Sequence, residues 1–154
     1  MTNGKDFPCF KLKVLSTILY AMIRTALIVE DDELMGRMLS LMLKKMGFTT
    51  VKALTAKEAL SASGKHYKDP FCIAIIDLNL PDTNGADLLM SLHLANPNLP
   101  ALLCTGMVDD TIATMSYSNF GFDGVLCKPF NERELRQSIT KVLECHHSEK
   151  VLLA

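Results

Sequence analysis

One aspartate ends an unbroken apolar run. Residues 71–76 lead into Asp77, and the turn-forming residues of 78–85 carry the chain away from it. A run without polar alternation reads as a parallel strand buried on both faces. That places the Asp77 carboxylate at the carboxyl end of a central strand, where open α/β sheets hold their ligands. Alone, such an aspartate reads equally well as a cap for the following turn. Three further apolar runs also end in residues that could do chemistry. Residues 26–29 run into Glu30, Asp31, Asp32 and Glu33; residues 101–104 into Thr105 and Gly106; residues 125–127 into Lys128, Pro129 and Phe130. Carboxylates gathered in one crevice repel each other, and a hard divalent cation with oxygen ligands relieves that repulsion. A hydroxyl and an ammonium beside the cation complete a pocket for a phosphoryl group.

Five strand–helix units must position these groups. The first strand, about 25–30, feeds a helix at about 33–46, with Asp32 and Glu33 in its N-terminal turn. Met35, Met38, Met42 and Met46 recur there at helical spacing, a stripe that suits a core-facing side, and Gly47 ends the helix. A second strand at about 48–53 precedes a helix that opens on Thr55 and Glu58, a capping box. The third strand, 71–76, leads to a helix at about 85–95 that Pro97 stops. A fourth strand at about 100–104 precedes a helix at about 109–119. A fifth at 124–127 precedes a last helix at about 131–145, with Asn131 as N-cap and Glu134 three residues on. Alternating units of this length predict a doubly wound α/β fold, a parallel sheet between two helical layers.

The motifs LIVEDDE at 27–33, DLNLPD at 77–82 with Gly85, Thr105-Gly106 and Lys128-Pro129-Phe130 stand in one order and spacing. In that order they resemble the receiver domain of two-component response regulators, the CheY-like superfamily, over about residues 24–145. The resemblance implies a flavodoxin-like (βα)5 fold whose five-stranded parallel sheet has strand order 2-1-3-4-5. It further implies that Asp77 accepts a phosphoryl group from a phosphohistidine, with Mg²⁺ bound beside it. The donor would be a sensor histidine kinase or a histidine phosphotransfer protein. By position, Asp31 is implied as a direct Mg²⁺ ligand, Glu30 as its acidic partner acting through water, and the Asn79 backbone carbonyl as a further ligand. Thr105 is implied to bond the phosphoryl oxygens and Lys128 to pair with them. Output passes to a downstream protein target, with a homodimer among the allowed assemblies. The chain is then a phosphoacceptor capable of autodephosphorylation, not an enzyme acting on a separate substrate. One position departs from the family: three residues before Lys128, where an aromatic ring often reports phosphorylation, stands Val125, which is β-branched and has no ring to bury.

Composition excludes other classes. The 154 residues are 49% hydrophobic and 21% charged with a net charge of −1, which fits one globular domain and neither a disordered tail nor a basic nucleic-acid binder. Five scattered cysteines (Cys9, Cys72, Cys104, Cys127, Cys145), three of them within apolar strands, read as reduced thiols of a cytoplasmic protein. His146 and His147 read as a solvated pair in a C-terminal tail, 146–154, past the last helix. Residues 1–23 lie outside the resemblance. The apolar stretch 14–23 is too short to span a bilayer, which takes roughly 20 residues, so no membrane insertion is expected. Leu15, Ile18, Leu19 and Met22 allow an amphipathic turn or two, but the preferred reading makes Met22 the native start.

Three functions compete. The first is a stand-alone phosphoacceptor receiver signalling by protein contact, or the receiver fragment of a larger regulator or hybrid kinase. The second is a pseudo-receiver that binds without phosphate. The third is an aspartate-nucleophile phosphatase, disfavoured because Asn79 stands where such enzymes use a second aspartate.

Overall fold

In a computed structural model, residues 24–66, 68–106 and 117–152 are described. The strands are β1 (Arg24–Val29), β2 (Phe48–Ala53), β3 (Ile73–Asp77), β4 (Ala101–Thr105) and β5 (Gly124–Cys127). The helices are α1 (Glu33–Lys45), α2 (Ala56–Lys65), α3 (Gly85–Ala95) and α4 (Glu132–Leu152), with a 3-10 turn at Tyr117–Phe120. All strand pairs are parallel, in the order β2-β1-β3-β4-β5. The expected amphipathic turn at 14–23 lies outside the described residues. So does residues 109–116 of the helix expected at 109–119, whose last part falls in the 3-10 turn.

Alternation along each strand divides the core into two layers. Leu27, Val29, Ala74 and Ile76 face α2 and α3, meeting Ala59, Leu88, Leu89 and Leu92. Ala26, Ile28, Ile73 and Ile75 face α1 and α4, meeting Leu39, Leu43, Leu135, Ile139 and Val142. The central strands β3 and β4 are buried at every position, whereas β2 at the sheet edge mixes buried and exposed residues. Each fully buried Leu or Ile contributes roughly 1.5–3 kcal/mol, so the apolar runs that flank the chemistry also hold the sheet together.

The helix ends follow their local chemistry. Asp32 caps α1, its carboxylate accepting from the amides of Leu34 and Met35 at 2.8 and 3.1 Å. Gly47, at φ +87°, takes the left-handed turn that leads from α1 into β2. Asn131 and Glu134 form a reciprocal capping box at 2.8 and 3.0 Å.

The methionine stripe of α1 faces the core as its spacing predicts: Met35, Met42 and Met46 are half-buried and pack around the fully buried Leu39 and Leu43. Two expectations need correction. Helix α4 runs on to Leu152, because no glycine or proline follows Cys145 to break it. His146 therefore lies within the helix, its Nε2 3.0 Å from the carbonyl oxygen of Asn98, and is no solvated tail residue. Finally, Cys104 is buried and Cys72 half-buried, but Cys127 at the end of β5 is exposed. Cys9 lies outside the described residues. No described helix is long and apolar enough to cross a membrane.

Candidate functional site

Strand register builds the site. Val29 lies opposite Ile76, so Glu30 and Asp77 arrive at the same level of the sheet. Asp77 lies opposite Cys104, and Thr105 opposite Cys127, which brings Thr105 and Lys128 to the neighbouring ends. Parallel strands cut off at one level thus deliver acids, hydroxyl and amine to a single crevice.

The side chains meet there. The Lys128 ammonium donates to Asp77 Oδ2 at 2.5 Å and to Glu30 Oε2 at 2.6 Å. Its backbone amide donates to the Thr105 carbonyl at 2.7 Å, fixing the start of the lysine's reach. Glu30, Asp77 and Thr105 are all buried, while Asp31 opens to solvent. One carboxylate oxygen from each of Glu30, Asp31 and Asp77 lies within 4.8 Å of the others. Three hard oxygen donors at that separation, with one side open to water, fit a Mg²⁺ ion, which takes one or two carboxylates and keeps several waters.

Electrostatics follow from burial and pairing. Burial pushes the Glu30 carboxyl above its ordinary range, and the neighbouring Asp77 charge adds to this, while Lys128 pulls the other way. For Lys128, burial favours the neutral amine, but the hydrogen bonds and charges of Asp77 and Glu30 outweigh it and raise its value. Lys128 is therefore an ammonium at neutral pH, the resident counter-ion of the acids. The Cys104 thiol behind them is pushed up to about 12 by burial, so it offers no thiolate nucleophile.

The loop after β3 is closed on itself. The Asn79 amide donates to Asp77 Oδ1 at 2.9 Å, and Asn79 bridges Asn84 across the loop. The amide of Leu80 reaches the Thr83 carbonyl at 3.3 Å, and that of Gly85 reaches the Leu78 carbonyl at 2.7 Å. A Cβ on Gly85 would stand 2.2 Å from the Asp77 carbonyl oxygen. Only glycine lets α3 begin this close to the strand end.

Of the residues singled out from sequence, Glu30, Asp31, Asp77 and Lys128 meet in this crevice. Thr105 ends the neighbouring strand β4 beside it, and Asn79 stands two residues past Asp77 at its rim. Two features carry no signal in the sequence alone. One is the contact that demands glycine at 85. The other is Asp82, whose carboxylate bonds the first amides of α2 some 25 residues earlier. No local pattern links residues so far apart.

Residues 26–140 match the response regulator receiver domain family. The chain belongs to that family. It is 33% identical over 111 residues to the cell cycle response regulator CtrA of Brucella ovis, a match covering 71% of this chain and 45% of that protein. The receiver thus spans about half the length of the curated relatives it matches. Among solved structures, it resembles a CheY-like response regulator receiver domain protein from Methanospirillum hungatei at 29% identity and a TM-score of 0.70, over 82% of this chain and 98% of that one. It also resembles the chemotaxis response regulator CheY4 of Vibrio cholerae at 25% identity and a TM-score of 0.70, over 79% and 99% of the two chains. Receiver membership accounts for the fold and for its order of strands.

Proposed function

We propose that this receiver accepts a phosphoryl group on Asp77 from a phosphohistidine of a sensor kinase or phosphotransfer protein, and passes the signal on by protein contact. The observation that carries the reading is the position of Lys128, an ammonium bonded to both Asp77 and Glu30 in one crevice. An Asp77 carboxylate oxygen attacks phosphorus, the P–N bond to the donor imidazole breaks, and its electron pair returns to the ring nitrogen. Lys128 then exchanges a carboxylate partner for a phosphoryl oxygen. The Thr105 hydroxyl donates to another, and Gly106 keeps the approach open. Asp31 and Asp77 would hold Mg²⁺, with Glu30 acting through water and the Asn79 carbonyl as a further ligand. Bound there, the ion supplies charge neutralisation between the carboxylates and the incoming phosphoryl oxygens.

Val125 is half-buried and packs on the α2–α3 side of the core. With no ring to swing, the response to phosphate travels through backbone around Thr105 and Lys128 to the face near β5. The coverage of less than half of the CtrA relative supports a second setting, in which the same receiver works within a longer regulator. The acceptor chemistry is common to both.

Incubation with a small phosphodonor tests the reading. Intact-protein mass should show one phosphoryl group added in the presence of Mg²⁺, little without it, and none in Asp77→Asn. Undiminished incorporation in Asp77→Asn refutes the site. No incorporation into the wild-type chain points instead to a receiver that binds without phosphate.

A further inference from the structure

Asp82 lies at the tip of the loop that follows Asp77 and is exposed to solvent. Its carboxylate is nevertheless fully used. Oδ1 accepts from the amide of Ala56 at 2.9 Å and Oδ2 from that of Lys57 at 3.0 Å. These are the first two amides of α2, which have no partner within their own helix. The next amide, that of Glu58, is taken by Thr55 Oγ1 at 3.1 Å, and the Glu58 carboxylate turns back to the Leu54 amide at 2.8 Å. Helix α2 therefore has a complete local cap of its own residues except at two positions, which the loop after β3 fills.

That loop carries Asn79, whose amide bonds Asp77 and whose bridge to Asn84 closes the loop. Its base is fixed by Gly85 against the Asp77 carbonyl. Its tip is tied by Asp82 to a different helix. We propose that Asp82 is a positioning residue for metal binding and phosphoryl acceptance: its two-pronged grip on α2 holds the 78–84 loop in the shape that presents Asn79 beside Asp77. This rests on the phosphoacceptor reading above. The two amides hold the Asp82 carboxyl below its usual range, so the grip is intact throughout that range and is released only as pH falls through the lowered value. Supporting hydrogen bonds behind metal ligands commonly set affinity as well as shape.

A plain helix-capping role would stabilise α2 and nothing else, so the test separates the two. Mg²⁺ affinity is measured calorimetrically on the wild-type chain, Asp82→Ala, Asp82→Asn and Thr55→Ala. Thr55→Ala removes a cap from the same helix end without touching the loop. Asp82→Ala should weaken Mg²⁺ binding about tenfold, the low end for loss of a ligand's supporting bond. Asp82→Asn, which keeps one acceptor oxygen, should fall between, and Thr55→Ala should stay within about twofold of wild type although it melts earlier. Because coupling is reciprocal, Mg²⁺ added to the wild-type chain should slow amide exchange at Ala56 and Lys57. Wild-type affinity in Asp82→Ala overturns the proposal, as does an equal loss in Thr55→Ala, which would reduce Asp82 to a cap. A wild-type chain that binds no Mg²⁺ at all removes the phosphoacceptor reading and this proposal with it. Normal Mg²⁺-dependent uptake by the wild type beside an unaffected Asp82→Ala removes this proposal alone.

Discussion

The two ends of the parallel sheet satisfy their polar groups in opposite ways. At the amino ends of the strands, side chains settle against backbone or a ring. Asp123, just before β5, accepts from the Ala101 amide at 2.8 Å, His93 bonds the Leu99 carbonyl at 2.9 Å, and His146 bonds that of Asn98. Arg24 at the start of β1 lies 4.6 Å from the centre of the Phe48 ring. At the carboxyl ends, charged side chains settle against one another, Glu30 and Asp77 on a single ammonium with Asp31 close by. A backbone partner cannot leave without unfolding something. A side-chain partner can be exchanged for an ion or a phosphoryl oxygen. The difference separates an end built to stay from an end built to be rearranged.

The sharpest way to break this division is to disturb a place where the carboxyl end leans closely on backbone. In Gly85→Ala, the new methyl group would meet the Asp77 carbonyl oxygen at 2.2 Å, and neither atom belongs to a flexible side chain. The strand end or the start of α3 must move, at a cost of about 3 kcal/mol, the upper part of the range for overpacking. Denaturant unfolding should show that loss, and residual protein should take up phosphoryl groups poorly because Asp77 itself has shifted. Full stability in this variant would show that the strand end is softer than its contacts imply.

Lys128→Gln comes next in size and tests the exchangeable partner. Without the ammonium, buried Glu30 and Asp77 face each other uncompensated. Breaking a fully buried pair costs about 3–5 kcal/mol; the lysine keeps some solvent and Asp31 leaves the crevice open, so about 2 kcal/mol is expected here. The variant should, however, gain more from Mg²⁺ in thermal unfolding than the wild type does, since no resident cation opposes the ion. In the metal-free wild type the sign with pH is fixed. The Lys128 value is raised above the ordinary 10.5, so its contribution is complete below that pH and is lost as pH rises through the raised value. The stability gap between wild type and variant should stay flat through neutral pH and close only in strong alkali. Equal Mg²⁺ stabilisation of both proteins would mean that lysine and metal do not share the crevice.

Much of this was legible in the residues because the two ends are written differently. Apolar runs that stop at Glu30, Asp77, Thr105 and Lys128 announce strand ends with chemistry on them, and a parallel sheet leaves those ends no other place to go. The caps at Thr55 and Asn131 were equally plain, since each acts within three residues. Asp32, placed by its sequence in the first turn of α1, proves to be that helix's cap. What escaped was non-local. Asp82 serves a helix begun 26 residues earlier, and His146 reaches back 48 residues to Asn98. The methionine stripe marked the core-facing side of α1 correctly, since Met35, Met42 and Met46 pack against the core. Helical spacing assigns a face and not its centre, which Leu39 and Leu43 hold.

The smallest effect is expected at the amino end. His146→Ala removes the bond to Asn98 and a loose approach, 3.6 Å, to the Asp123 carboxylate. Losing one such hydrogen bond costs about 1 kcal/mol, and alanine in a helix returns about half of that. A net loss of about 0.5 kcal/mol should follow, with Mg²⁺ affinity and phosphoryl uptake unchanged. Strand β4 separates the two ends by five residues, roughly 16 Å at the usual rise, and perturbations that far apart add to within about 0.5 kcal/mol. The double variant Lys128→Gln, His146→Ala should therefore unfold with the sum of the two single losses. A coupling well beyond that margin, or a shift in Mg²⁺ affinity from His146→Ala alone, would show that α4 transmits between the ends and that the division between them is not a physical one.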